Sequence, residues 1–466
     1  MHRTLAGIPC ALTLLVAACG DPTSDGGNNG GNNNGGDTPA AAVVRFAQRT
    51  DTLSPAESAT FAAEATTAAG EVLSGKTITW ATSDPAVATV SAAGLVTAVA
   101  PGSATITASA DGKQASTSLA VVRTWKAIAL GSQDPMEALC GLTLDDRAWC
   151  WGGNDAGQFG TGTPGGSVPT PTAAGGDKRW HSLSLGLHYA CGLADDAQAY
   201  CWGRLGKQPL SMEYPVPTAI EGAPALASVT AGNLHGCGLT AAGAAWCWGR
   251  NTEGALGDGQ TTNVAAPAAV AVTGGHTWQT VQPTGVDLTC GLTTAGAAYC
   301  WGAGFLGAGP DPIQDSVPHP VQGGHTFTAL VTWFNGACGL DAEGRAWCWG
   351  QNTSGTVGSG SSTDATVPTL VAGNLRFTQI AGTHDRVCAL TAAGQAYCWG
   401  AGFGNAPVAV PGGHTFVAIA AGAGRSCGLT AGGAAWCWGA GPLGDGSTTN
   451  SATPVRVGHP AGAPTA

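Results

Sequence analysis

The sequence predicts an all-β chain: a small β-sandwich followed by a seven-bladed β-propeller. Three observations predict it. A thirteen-residue phrase, CGLTAAGAAWCWG in the copy from Cys237 to Gly249, occurs seven times, always with its two cysteines ten positions apart. Between copies the chain runs in short apolar stretches separated by Gly, Pro, Asn and Asp, and the repeats span 39 to 53 residues, with room for four short strands each. Upstream, residues 43–122 alternate in β-rich runs at the spacing of a sandwich.

The first segment is not part of that fold. Behind His2 and Arg3 lies the apolar stretch IPCALTLLVAAC, too short to span a membrane and typical of a secretory signal. Residues 1–18 are therefore read as a signal peptide. LVAAC, ending at Cys19, resembles the lipobox of bacterial lipoproteins, with small Ala17 and Ala18 before the acceptor. That resemblance implies cleavage before Cys19 and a diacylglycerol on its sulfur, hence a lipid-anchored protein of the bacterial cell envelope, at the outer membrane or cell surface. Residues 19–42, nearly all Gly, Asn and Asp, read as a flexible tether.

Composition narrows the function. Charged residues make up 10% of the 466, the net charge is −11, and glycines number 74. An acidic chain is a poor nucleic-acid binder and has no polybasic route to anionic lipid. The membrane is expected to be reached only through the lipid anchor.

In the 43–122 domain the runs are VVRF, SATFAAEA, TITWATS, VATVS, LVTAV, SATITAS and STSLAVV. Trp80 is expected to be the buried core aromatic. Trp80, Ser83-Asp84-Pro85, Val87, Val90, Gly94, Val96 and Pro101-Gly102 resemble the bacterial immunoglobulin-like domain, group 2. In that family the domain is commonly a stalk, which implies a spacer here. The fold expectation is thus an N-terminal immunoglobulin-like β-sandwich before the propeller.

The repeated phrase explains itself as a hairpin. With Cys237 opposite Cys247, Gly238 faces Trp246 and Leu239 faces Ala245, leaving Ala241, Ala242 and Gly243 as the loop. A three-residue loop ends on a left-handed residue, which glycine adopts freely. Gly296, Gly344, Gly394 and Gly433 share that place; Asp146 is tolerable there and Ala197 is not, so the second hairpin is expected to be the least regular. Counting outward puts the cysteines at a non-hydrogen-bonded pair, where opposed Cα atoms lie close enough for a disulfide. Seven bonds follow: Cys140–Cys150, Cys191–Cys201, Cys237–Cys247, Cys290–Cys300, Cys338–Cys348, Cys388–Cys398 and Cys427–Cys437. Trp246 is expected to cover the bare face of Gly238. The cysteine and tryptophan faces are both apolar, so each hairpin must be buried on both sides, as radially packed blades are.

Large apolar residues open each repeat about eleven positions before most first cysteines: Trp180, Leu226, Trp278, Phe327, Phe377 and Phe416, with Trp125 opening the first. Together with the hairpins, Gly157-Gln-Phe-Gly160 and its variants at Gly254–Gly257 and Gly441–Gly444 resemble the regulator of chromosome condensation repeat family. The resemblance covers about residues 124–458 and implies a seven-bladed propeller; residues 459–466 read as a disordered tail. The disulfides, signal peptide and acidic surface depart from the eukaryotic founder, so chromatin binding and nucleotide exchange do not carry over.

Chemical motifs are few. GGHT at Gly274, Gly323 and Gly412 invites a histidine metal site, but these are blade-boundary turns. LGDG at Leu256 and Leu443 supplies one carboxylate each, too few for calcium. The cysteines lack zinc spacing, and no phosphate loop, GxSxG or HExxH occurs. No cofactor and no metal are expected. One place stands out: the loop before each first cysteine sits at the same point of every blade while its chemistry varies. It holds Asp134, His188, His235, Asp287, Trp333-Phe334-Asn335, His384-Asp385-Arg386 and Arg425. Trp333, Phe334 and Arg386 are expected to be exposed anchors. His384-Asp385 is the only local acid–base pair, and adjacent strand residues point apart.

The leading expectation is a non-catalytic, monomeric envelope protein whose propeller binds a protein or glycan. A specific enzyme inhibitor is the alternative, because relatives of the fold include a secreted inhibitor of β-lactamases; a propeller lyase or hydrolase is the third.

Overall fold

A computed structural model describes residues 40–122, 124–131, 138–205, 212–264, 268–285, 287–309 and 313–458. The signal peptide, Cys19, the tether up to residue 39, Asp134 and the tail lie outside the described residues. The last tether positions already join the sandwich: Ala41 is buried and donates its N–H to Asp111, and Ala42 bonds to Thr66.

The sandwich runs from Val43 to Val121. Its larger sheet orders the strands Thr52–Leu53, Lys113–Val121, Gly102–Ala110 and Thr79–Thr82, with the first pair parallel. Ser58–Thr60, Leu95–Ala98 and Ala88–Val90 form a second sheet, and Val43–Gln48 pairs with Ala62–Thr66. Alternating inward residues (Val96, Ala98, Ala104, Ile106, Leu119, Val121) fill the core. Phe61 is its fully buried aromatic. Trp80 is only half-buried, because it lies across Gly94 at the sandwich edge.

Trp125 opens seven consecutive four-stranded antiparallel sheets, each pairing its strands in chain order. All seven hairpins share one register: every first cysteine faces its second, at a Cα separation of 4.0–4.1 Å, and all seven disulfides are formed. In the third blade Thr240 and Ala244 close the loop by backbone bonds, which places Cys237–Cys247 at a non-hydrogen-bonded pair as expected. The second hairpin is not the least regular. Ala197 takes φ 57° and the ladder beside it stays in register, so strain is accepted at one residue and the pairing is kept.

The glycine after the first cysteine has another cover than expected. A Cβ on Gly141, Gly192 or Gly291 would overlap the tryptophan that opens the same blade, Trp125, Trp180 or Trp278; at Gly339 and Gly428 the obstacle is Phe327 or Phe416. The residue opposite across the hairpin is not what covers it. In these five blades the opening aromatic packs on the bare strand, and in the third blade Leu226 takes that place over Gly238.

Each blade then packs its cysteine face on the tryptophan face of the next. Between the third and fourth blades, Cys237, Leu239, Ala245 and Cys247 pack against Trp278, Val281 and Trp301. At every junction the residue opening one blade donates its N–H to the left-handed residue of the preceding hairpin, as in Trp278 to Gly243 (2.8 Å) and Phe416 to Gly394 (2.8 Å). The ring closes by the same bond, Trp125 to Gly433 at 3.0 Å. Gly444 of the last blade abuts Trp151 of the first, as Gly257 abuts Trp301. No strand crosses this seam, since the first and last sheets each use one continuous segment. Outer strands carry proline, as in SVPTPT, ATVPTL and SATPVR, which blunts the exposed edges.

Candidate functional site

In a four-stranded antiparallel blade the first and third loops leave at the same end, so the loops before the first cysteines ring one face. They are packed tightly enough that glycine is needed between neighbours: a Cβ at Gly186 would overlap Gly232 O of the next blade, and one at Gly285 would overlap Phe334 O. That packing divides the candidate residues into two sets.

Trp333, His235, Arg386 and Arg425 are buried. Trp333 is 2% exposed and belongs to the core between the fifth and sixth blades, with Val387 and Ile380. It is not a surface anchor, because it ends the innermost strand and its ring turns between blades over Gly336. Arg386 is also unavailable: Nε and Nη2 both donate to Ala401 O (3.1 and 2.9 Å), and the guanidinium lies 5.0 Å from the Phe403 ring. Arg425 donates from Nη1 to Pro442 O. These cations tie the loop between the third and fourth strands to their own blade.

His235 is a structural relay. Thr289 gives its one hydroxyl hydrogen to Ala255 O (2.7 Å), so it must accept from His235 Nε2–H, also at 2.7 Å. Tyr189 O–H donates to His235 O (2.6 Å), which links the second, third and fourth blades. Burial, with a smaller push from the Arg250 charge, lowers the imidazole pKa to about 3, so the ring is neutral at any ordinary pH.

Partly exposed residues remain at three places. His188 sits in the second-blade loop. Asp287 pairs with Arg250 at 3.0 Å; burial raises its carboxyl above the usual range, Arg250 opposes this and Glu253 adds to it. The larger cluster spans the fifth and sixth blades. Phe334 donates its N–H to His384 O (3.1 Å), and its ring centroid is 5.4 Å from the imidazole. Asn335 Nδ2 donates to Gln351 Oε1 at 3.0 Å.

His384 and Asp385 do not point apart. They lie in a turn between strands ending at Thr383 and starting at Arg386, and His384 has φ 47°. That left-handed step swings His384 Nδ1 to 3.4 Å from Asp385 Oδ1. Burial raises the Asp385 carboxyl, but the His384 hydrogen bond and the charges of His384 and Arg386 outweigh it, and the pKa falls below the usual range. The backbone beneath is fixed, since Asp385 O accepts from Thr356 Oγ1 (3.1 Å) and Ala401 N (2.9 Å). The result is a preorganised patch of an aromatic ring, an imidazole–carboxylate pair and an amide pair.

Sequence reasoning missed the work of the GGHT histidines. His276, His325 and His414 stack on Tyr299, Trp347 and Trp436, with centroids 4.3, 4.2 and 4.0 Å apart. They cap that aromatic of their own blade, each two positions before the opening aromatic. Burial lowers the His414 pKa, partly offset by Glu57. Among the described residues no three His, Cys, Asp or Glu are grouped to hold a metal ion. It also missed Asn154, Asn251 and Asn352, whose side chains knot the long third loops: each Oδ1 accepts the N–H five residues on, from Phe159, Leu256 or Val357.

Comparison with known proteins agrees with this architecture. Residues 40–121 match the bacterial Ig-like domain (group 2). Residues 242–290 and 343–390 match one model of the regulator of chromosome condensation (RCC1) repeat, and 227–255 and 416–444 match a second. Among solved structures, human WBSCR16 is similar at 20% identity and TM-score 0.59, over 67% of this chain and 94% of that one. Prp20p from Saccharomyces cerevisiae is similar at 19% identity and TM-score 0.58, over 68% and 87%. The same yeast protein with Kap60 bound gives 18% and 0.58, over 72% and 85%. At such identities the likeness is one of fold. Among curated proteins none matches. The chain carries a bacterial Ig-like domain of group 2 followed by a seven-bladed propeller in which residues 227–290, 343–390 and 416–444 match RCC1 repeats.

Proposed function

We propose that this protein is a lipid-anchored component of the bacterial envelope whose propeller binds a protein partner, without catalysis, through the face ringed by the loops before the first cysteines. The observation that carries the reading is the Phe334–Asn335–His384–Asp385 patch. It is half-exposed, held by backbone bonds from three sides, and combines an aromatic with hydrogen-bonding groups, as interface hot spots do. The solved relative Prp20p is described as binding Gsp1p and histones and is seen with Kap60; protein recognition in general is what this likeness supports. The Ig-like domain holds the propeller off the tether, and Cys19 carries the lipid.

A photo-crosslinker placed at 334 or 384 of the full-length protein in native envelopes tests the face. A discrete adduct from these positions, absent from position 242 in the opposite-face turn, is expected. Adducts from 242 alone would move the site to the other face, and a protease-resistant adduct would identify a glycan. Fatty-acid labelling tests the anchor: a wild type as unlabelled as Cys19→Ala removes it.

A further inference from the structure

Two departures from the repeat pattern meet at one place. The hairpin position before the left-handed residue holds Asp145, Asp196, Ala242, Ala295, Glu343 and Ala393 in the first six blades, and Gly432 in the seventh. The outer-strand residue paired with the aromatic before the second cysteine is Ala173, Ala219, Ala271, Pro320, Leu370 and Ala409, then Arg456. Only the seventh blade has a glycine at the first position and a charge at the second.

Both changes serve the Ig-like domain. A Cβ on Gly432 would overlap Pro55 O, so the bare backbone is what admits that loop. Arg456 donates from Nη1 to Thr52 O (3.1 Å) and from Nη2 to Ser54 Oγ (2.9 Å), and pairs with Glu57 at 3.0 Å. Glu57 is fixed in turn by Ser54 N–H at 2.6 Å. Ser54 and Pro55 are buried although they belong to a loop, and Ala56 holds φ 69° to shape it. Loops normally run over the surface; this one is covered by the seventh blade. Only residues 122–124 separate the sandwich from Trp125, the first residue of blade one, and Val122 and Thr124 are buried. A cavity of about 170 Å³ is lined by Thr52 and Ser54 of the sandwich, Trp125 of the first blade, and Ala435 and Arg456 of the last.

We infer that the Ig-like domain has a second function as the clasp of the propeller. It is continuous with the first blade and grips the last through Arg456 and Gly432, across the one seam where the two blades are not joined by the chain. Every other blade pair is linked covalently by its connecting turn. The seam has only the common packing contacts, and a ring without a shared strand can open there. Breaking the grip strands the Glu57 carboxylate, 15% exposed, without its cation, which is costly in a part-buried site.

The test restores the repeat pattern in the full-length chain, by Arg456→Ala and separately Gly432→Ala, and follows amide hydrogen exchange. If the clasp is real, exchange rises at least tenfold in Trp125–Leu130 and Ser451–Arg456 while Phe327–Trp333, across the ring, is unchanged. The exchanged pair Glu57→Arg with Arg456→Glu should recover part of the protection that Arg456→Glu alone loses. Faster exchange confined to residues 52–57, with both seam strands as protected as before, would make the domain a pendant spacer and overturn the inference. Unchanged exchange everywhere would overturn it as well.

Discussion

His235 makes the acid stability of the propeller predictable. In the unfolded chain its imidazole takes a proton near pH 6.5, whereas in the fold burial holds the pKa to about 3. Between those values the unfolded state binds the extra proton, so stability is fully present above pH 6.5 and is lost as pH falls. Each unit is worth about 1.36 kcal/mol, so lowering the pH from 7.5 to 5 should cost roughly 2 kcal/mol from this one group. His414, whose pKa is also lowered, works in the same direction. Asp287, pushed upward by burial, works against it. The lowered carboxylates Asp196, Asp341 and Asp385 come into play only below about pH 4. Urea midpoints at pH 7.5, 6.5, 5.5 and 5, in oxidising buffer, read the loss. His235→Gln keeps a donor for Thr289 and removes the titrating group, so its midpoint should be markedly flatter with pH over that range. Parallel curves for wild type and variant would refute the reasoning.

Other perturbations separate core from face. Trp333→Ala should destabilise by about 3–5 kcal/mol as a large core truncation, seen in the melting temperature, whereas Phe334→Ala should leave the melting temperature nearly unchanged and weaken partner binding by more than about 1 kcal/mol. Gly339→Ala should cost about 1–3 kcal/mol by driving a Cβ into Phe327; Ala389→Gly, at the equivalent place in the sixth blade, tests how far that blade has adapted. Ala197→Gly should stabilise by about 1 kcal/mol, since it relieves a left-handed alanine. Cys237→Ser with Cys247→Ser should cost roughly 2–3 kcal/mol in the chain-entropy model, measured by urea denaturation.

The repeats made the fold legible because each blade states its pattern seven times over. Cysteine pairing, hairpin register and two-sided burial all follow from where ten intervening bonds of a hairpin must place side chains. What misled were residues whose neighbours come from other blades. Nothing local distinguishes Trp333 from Phe334; the difference is that one ring faces the next blade and the other the rim. His235 and Arg386 look like loop polar groups in sequence, and they are buried because the ring of loops closes over them. His384 and Asp385 form a turn and not a strand, and one residue with positive φ is enough to bring the pair together.

The same holds for Gly432 and Arg456, whose departure from the other blades has a meaning only against the sandwich loop. In a repeat protein the shared residues describe the blade, and they cannot describe what happens at only one blade. A seam, a clasp or a binding patch must be written in positions where one repeat departs from the other six. Departures that cost the repeat something are the informative ones. Gly432 surrenders a side chain that six hairpins keep, and Arg456 places a cation on an outer strand where the other blades carry Ala, Leu or Pro. Neither helps its own blade, so each points to a contact outside it. His384 fits the same rule. It is a non-glycine residue held at φ 47°, and the geometry gained is an imidazole set beside a carboxylate on the open face.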